Sequence, residues 1–390
     1  MAGTGFVLSG GGARGAYEAG VLCWVLEEMG RQKRLPPVHA ACGTSVGAIH
    51  SAFLASALHD PGGAAKRLES TWTQLELDDV LRLGMEQVTA LWRIVTGGGR
   101  AAGIFDATAL SELVSRSIHW ERIRHNLHDG RISALTVTAT HVPTGRPVVF
   151  LESRPEIEAP QGIGRRIVVR HTCVGQEHVL ASAAIPFVFP PVMLQGDLYC
   201  DGGLRLNTPM GPALRLGSER LFVIGLHTTR GDAEVPELGS GRYPGASFLL
   251  GKMLNAFLLD HVAQDLEQLE RVNRLIRDGT AVYGPDFPAR MGAVALSRGE
   301  PSHRVVPALS VRPSEDLALI ASDSLKQLSL WPAAGVASTA LLKLVDVGEG
   351  QGSDLASYLL FDARFARELI ALGRRDAMAR ADEIRDFLWS

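Results

Sequence analysis

The chain is poor in cysteine, has no large excess of charge of either sign, and holds no long uninterrupted apolar run. Each shortage removes a class of protein. The four cysteines, Cys23, Cys42, Cys173 and Cys200, form no C-x-x-C pair. Their spacing fits neither a zinc site nor a small disulfide framework. They read as mostly buried free thiols, which suit a reducing compartment. Lys and Arg number 39 against 42 Asp and Glu, a formal net charge of −3. Nucleic acid is therefore not expected as a partner, because phosphate binding needs clustered cations. No run of about 18 apolar residues occurs, so no transmembrane segment is expected. The best candidate, LWPAAGVASTALLKLV (330–345), is interrupted by Pro332, Gly335 and Lys343 and reads as a buried helix. The opening MAGTGFVLSGGG lacks the basic start and apolar stretch of a signal peptide. Ala2 removes the myristoylation pattern. A cytoplasmic location is expected on these grounds, with peripheral contact at membranes left open.

What is present is an ordinary globular composition, 46% hydrophobic and 21% charged, sufficient for a sizeable core. GFVLS (5–9) reads as a buried strand. The following AYEAGVLCWVLEEMG places Val21, Leu22, Val25, Leu26 and Met29 near helical spacing, with Gly30 as the expected C-cap. PPVHAACG (36–43) is a second strand and VGAIHSAFLASAL (46–58) a second helix. This βαβα opening predicts a parallel sheet. Further on, 132–153 reads as two strands about a Pro-Thr-Gly turn, and 177–192 as a short helix stopped by prolines. MLQGDLYCDGG (193–203) reads as a small hairpin ending at Asp201, and 219–229 and 304–311 as strands. A long helical pattern fills 247–277, and the last thirty residues carry helical faces on either side of Gly373. Residues 95–103 and 230–245 read as mobile loops or lid edges.

Two motifs dominate the first fifty residues. GGGARG, Gly10 to Gly15, matches the G-x-G-x-x-G of dinucleotide cradles. Such a cradle also needs an acid at the end of the second strand. That strand ends Ala41-Cys42-Gly43, and Glu27 and Glu28 sit on the helix before it, so the dinucleotide reading is weak. The strand runs instead into GTSVG (43–47), a G-x-S-x-G pattern that projects Ser45 from a tight strand-to-helix turn. A serine capping a helix would also account for it. An attacking serine creates an oxyanion, and each preorganised donor aimed at that charge is worth about 3 kcal/mol. Backbone N–H groups of Gly10 to Arg14, at a helix N-terminus, are placed to supply them. A serine also needs a base. His171, His178, His227 and His261 occupy no context that singles one out. DGG (201–203) does more, although an Asp opening a turn is common.

GGGARG, GTSVG and DGG, in that order and spacing, resemble the patatin-like phospholipases. ASAAIPFVFPPV (181–192) is similar to that family's A-S-x-A-x-P-x-x-F-P segment, and SVRPSEDL (310–317) and YLLFDARFARELIALG (358–373) are similar to its bacterial C-terminal segments. The resemblance implies a patatin-like three-layer α/β/α fold with a mainly parallel central sheet and a C-terminal helical extension. The expected division is a catalytic core over 4–230 and a mostly helical part over 231–390, or one continuous domain over 1–390. It implies a Ser45–Asp201 dyad without histidine and an oxyanion loop of Gly10, Gly11, Gly12, Ala13, Arg14 and Gly15. Gly11 and Gly12 are the main donors on this reading. Gly43 and Gly47 shape the nucleophile turn, and Gly202 and Gly203 back the aspartate. Arg14 either braces the loop through local carbonyls or meets an anionic headgroup, with bracing favoured. An aspartate base, of reference pKa near 4, needs a dry pocket or a short hydrogen bond to work at neutral pH. No calcium loop of the EF-hand type occurs, and neither metal nor cofactor is expected.

The expected activity is cleavage of carboxylic esters of phospholipids or related lipids at a membrane or micelle interface. An acyltransferase or thioesterase using the same dyad, or a non-catalytic lipid-binding protein, is the alternative. Residues 82–105 are expected to be a lid or interfacial segment or a plain packing helix.

Overall fold

A computed structural model of the chain describes residues 3–82, 103, 105–157, 167–228, 251–253, 255, 260–298, 302–329 and 353–390. Of the expected lid or packing helix at 82–105, all but residues 82, 103 and 105 lie outside these residues, as do the loop at 230–245 and the apolar stretch at 330–345.

The fold is a mixed, mostly parallel sheet flanked by helices. Strand β1 (Thr4–Leu8) is buried along its whole length, as a central strand covered on both faces must be. It pairs in parallel with β2 (Val38–Thr44) on one side and β8 (Arg220–Ile224) on the other. β2 continues in parallel to β3 (Ala134–His141). β3 turns antiparallel to β4 (Arg146–Ser153), which pairs in parallel with β5 (Val168–His171). A short hairpin, β6 (Val192–Leu194) and β7 (Asp197–Asp201), joins the sheet through β3. At the far edge β9 (Ala308–Val311) pairs in parallel with β8. The sheet order is β5-β4-β3-β2-β1-β8-β9, so the C-terminal part of the chain contributes a strand to the sheet begun by the N-terminal part.

Helix α1 (Gly15–Gln32) follows β1, α2 (Val46–Ala57) follows β2, and α3 (Pro61–Thr73) packs on α1. The helix over Ala363–Ala379 also packs on α1. It approaches closely because the contact is glycine on both sides. A Cβ on Gly20 would overlap the Ile370 carbonyl, and one on Gly373 the Tyr17 carbonyl. Gly30 is not the C-cap of α1. The helix runs on to Gln32, and Lys33 takes the left-handed conformation at φ 50°. Gly30 stays helical, and its bare backbone lies against Gly62 near the start of α3.

Candidate active site

The sheet register brings the two motif residues together. β4 occupies one edge of β3 over its full length. On the other edge, β2 pairs only as far as Thr44 opposite Thr138. The next residue of β3, Ala139, pairs with Asp201 of β7, which arrives from the opposite direction. β2 and β7 therefore meet end to end, and the residue after Thr44 is Ser45.

Ser45 sits at φ 56° and ψ −125°, a conformation that costs a non-glycine residue of order 1–3 kcal/mol. The turn that imposes it is possible only with its two glycines. A Cβ on Gly43 would overlap the Gly47 carbonyl, and one on Gly47 the Leu8 carbonyl. Ser45 occupies the N-cap position of α2, yet its hydroxyl makes no capping hydrogen bond, so capping is not its role. Its own N–H donates to Ser182 Oγ at 2.8 Å, and Ser182 Oγ donates to the Thr138 carbonyl at 2.6 Å. The A-S-x-A segment thus clamps the serine turn to β3, a contact that the motif did not disclose.

Asp201 is 2% exposed. Its backbone is pinned on both sides, the N–H donating to the Ala184 carbonyl at 2.8 Å and the carbonyl accepting from Thr140 Oγ1 at 2.9 Å. Oδ1 accepts the Gly203 N–H at 2.7 Å. Gly202 is bare because a Cβ there would overlap the Thr138 carbonyl. Oδ2 is buried and has no fully formed hydrogen bond. Burial raises the carboxyl to a pKa of about 6 against an ordinary 3.8, while the nearby Ser45 hydroxyl and the Gly203 N–H act in the opposite direction. The dry surroundings that an aspartate base requires are therefore present.

The glycine loop leaves β1, forms a single turn over Gly12–Arg14 and enters α1 at Gly15. Gly10 is held on both sides by Asn207, its N–H donating to the Asn207 carbonyl at 3.2 Å and its carbonyl accepting from Asn207 Nδ2 at 3.1 Å. The Arg14 N–H donates to the Gly11 carbonyl. The N–H groups of Gly11 and Gly12 meet no acceptor among the described residues. Gly12 lies at φ 57° with the Tyr358 carbonyl against it, which excludes any side chain. Ala13 is buried in the turn. Arg14 is also buried, and its contacts are with a C-terminal helix rather than with local carbonyls. Nε donates to Ser357 Oγ at 2.7 Å, Nη2 lies 3.7 Å from Asp354 Oδ1, and the guanidinium stacks 4.1 Å from the Tyr358 ring centre.

Ser45 and Gly12 stand in the lining of a pocket. Val46, Ile49 and Phe53 of α2 form one wall, and Leu68, Leu75, Leu110, Leu113 and Val114 face them. The lining is apolar apart from a few groups, of which His50 and Trp72 are held in a buried network. His50 Nδ1 lies 2.6 Å from Glu18 Oε1, Glu18 Oε2 accepts the Ser9 N–H at 3.0 Å, and Trp72 Nε1 donates to His50 Nε2 at 3.1 Å. Glu18, His50, Trp72 and Asn207 were not singled out from the sequence, and Ser182 stood out only as part of the A-S-x-A segment. The signal available for the first two was a titratable side chain inside an otherwise apolar helical run.

A profile of the patatin-like phospholipase family matches residues 6–214, and the chain belongs to that family. A curated relative, the uncharacterized protein R571 of Acanthamoeba polyphaga mimivirus, is 24% identical over 204 residues, which is 52% of this chain and 59% of the relative. The chain thus matches under two thirds of that relative's length. Among solved structures, human group IVD cytosolic phospholipase A2 in complex with methyl γ-linolenyl fluorophosphonate is 14% identical, with 99% of this chain and 59% of that one covered at a TM-score of 0.44. VipD from Legionella pneumophila is 13% identical, with 95% and 67% covered at a TM-score of 0.31.

Proposed function

We propose that this chain is a serine lipid acyl hydrolase that cleaves carboxylic esters of phospholipids or related lipids through Ser45 and Asp201. The observation that carries the reading is the end-to-end meeting of β2 and β7, which sets a strained, uncapped serine of an apolar pocket's lining beside a buried carboxylate. Asp201 Oδ2 takes the proton of the Ser45 hydroxyl as Oγ attacks the ester carbonyl. The N–H groups of Gly11 and Gly12 receive the oxyanion. The tetrahedral adduct collapses, the ester C–O bond breaks, and the leaving alcohol takes the proton from Asp201. Water then attacks the acyl-serine, giving its proton to Asp201, and the fatty acid leaves as that proton returns to Ser45 Oγ. A carboxyl of pKa about 6 is ionised at neutral pH and still basic enough to accept this proton.

The test is release of fatty acid from mixed phospholipid micelles in EDTA, comparing the unaltered chain with Ser45→Ala. Release by the first and none by the second supports the reading. Equal release by both, or none by either from folded protein that binds the micelles, overturns it.

A further inference from the structure

The buried network beside the pocket has a direction. An indole N–H can only donate, so His50 Nε2, which receives Trp72 Nε1–H at 3.1 Å, is an acceptor. A neutral imidazole then carries its hydrogen on Nδ1 and donates it to Glu18 Oε1 at 2.6 Å. Glu18 also accepts the Ser9 N–H, so each of its oxygens holds one donor, which opposes the rise in pKa that burial imposes on the carboxyl. Glu18 and His50 are fully buried, at 0% and 1% exposure. A buried carboxylate is costly unless fully hydrogen-bonded, and here its donors run in one line, from β1 and α1 through α2 to the indole of α3.

That line ends in the pocket wall. Ser45, Val46, Ile49, His50 and Phe53 line the pocket from one face of α2, so the pocket runs about 12 Å along the helix from the serine. Trp72 meets this wall at the level of His50, short of Phe53, with its ring tilted 54° to the imidazole at 5.7 Å. Leu68 and Leu75, which line the pocket with it, have aliphatic side chains that offer the ring no hydrogen bond. The bond to His50 is the one hydrogen bond of the indole among the described residues, and it orients a ring already packed in the core.

We infer that Trp72 is the specificity-determining wall for acyl-chain length, and that His50 and Glu18 are positioning residues that lock its indole across the pocket. The class of ligand is a straight acyl chain of medium length. The inference rests on reading this pocket as the acyl site.

The experiment measures equilibrium binding of octanoate, decanoate, laurate, myristate, palmitate and stearate to the Ser45→Ala protein, which removes turnover. Affinity should climb by about fourfold per methylene and then level off. Adding Trp72→Ala should move the levelling point to a chain about two carbons longer, a gain of about fifteenfold for that chain. Trp72→Phe keeps a ring and removes the N–H, and should move it in the same direction by less. His50→Gln, whose amide can accept from Trp72 and donate to Glu18, should leave it in place, whereas His50→Leu should not. A merely structural role would lower melting temperature without moving the levelling point. An unchanged levelling point in folded Trp72→Ala and Trp72→Phe proteins, or no chain-length dependence at all, overturns the inference. Parallel assays of matching esters with Ser45 intact separate the two claims. A shifted binding profile without ester cleavage removes the hydrolase reading alone, and cleavage with an unshifted profile removes this inference alone.

Discussion

Ser45 and Asp201 stand at the tips of two strands that approach each other along one edge of β3, Thr44 pairing with Thr138 and Asp201 with Ala139. Their encounter is a property of the sheet ladder rather than of flexible loops. Backbone hydrogen bonds fix the separation of the two side chains to within the tolerance of a strand register. Both residues then carry a cost that only the surrounding fold can impose. For Ser45 it is a left-handed backbone, and for Asp201 it is a carboxyl deprived of water.

That cost predicts opposite effects of Asp201→Asn on rate and stability. Turnover should fall by at least about 10³-fold, because the serine loses its base. Stability should rise. The folded carboxyl titrates at about 6 and the unfolded one near 3.8, so the native state binds the proton more tightly. This contribution is largest below 3.8 and is lost as pH rises through 6. The amide escapes that loss and should be more stable than the unaltered chain at pH about 8, by up to about 3 kcal/mol, with the gain shrinking towards pH about 4. Urea unfolding at the two pH values checks it. A mutant less stable at the higher pH, or one that still turns over, would show that Asp201 is not a buried catalytic base.

The same carboxyl gives the proposed mechanism a pH profile. If Asp201 is the base, activity needs its ionised form, so kcat/KM should rise with pH, be half-maximal at about 6, and stay level through neutrality. His178, which packs edge-on to Phe150 away from the pocket lining, has its pKa lowered by burial. His178→Gln should leave the midpoint where it is. A midpoint that moves with a histidine substitution would hand the base role to that histidine.

Much of this site is legible in the sequence. The strand–glycine loop–helix–strand–serine turn of the first 58 residues follows from apolar periodicity and from glycines that tight turns require, and β1, α1, β2 and α2 lie where that pattern puts them. The hairpin ending at Asp201 was legible for the same reason. What was not legible depends on pairing across long separations. Nothing in DGG says that β7 continues the edge vacated by β2. Nothing near Asn207 says that it will hold Gly10 from 197 residues away. Glu18 falls on the apolar face of its helix with Leu22, Val25 and Met29, and nothing there says that His50 of α2 will meet it. Arg14 was expected to bond carbonyls nearby, and its actual partners, Ser357 and Asp354, lie more than three hundred residues on.

Arg14 should therefore behave as a tie between the glycine loop and the helix over Ser353–Leu359. Arg14→Met removes the bond to Ser357 and the stacking on Tyr358, while Asp354 keeps Lys252 at 2.7 Å. We expect a loss of about 2–3 kcal/mol in stability, together with a lower kcat, since the Tyr358 carbonyl packs on Gly12. Arg14→Lys should recover little, because an ammonium cannot reproduce the planar stacking and Nε bond together. Chemical denaturation and turnover measured on both variants check this. Full recovery by lysine would mean that only the charge matters, and that the residue faces an anion instead.

The two candidate donors of the glycine loop should respond unequally to an added methyl group. Gly11 has φ 174°, an extended backbone open to any residue, and a Cβ there meets only the end of the Leu226 side chain, which can turn aside. Gly12 has φ 57° and meets the Tyr358 carbonyl, which cannot. Gly11→Ala should therefore keep most of the fold and lose a few-fold in rate. Gly12→Ala should swing its own N–H out of line and lose about 10²–10³ in kcat, the worth of one oxyanion donor, with micelle binding retained. Stopped assays of fatty-acid release and a sedimentation assay of micelle binding give the two quantities separately. If both alanines cost the same small factor, the oxyanion donors lie elsewhere, and the glycines serve only to let the loop pass between α1 and the C-terminal helix.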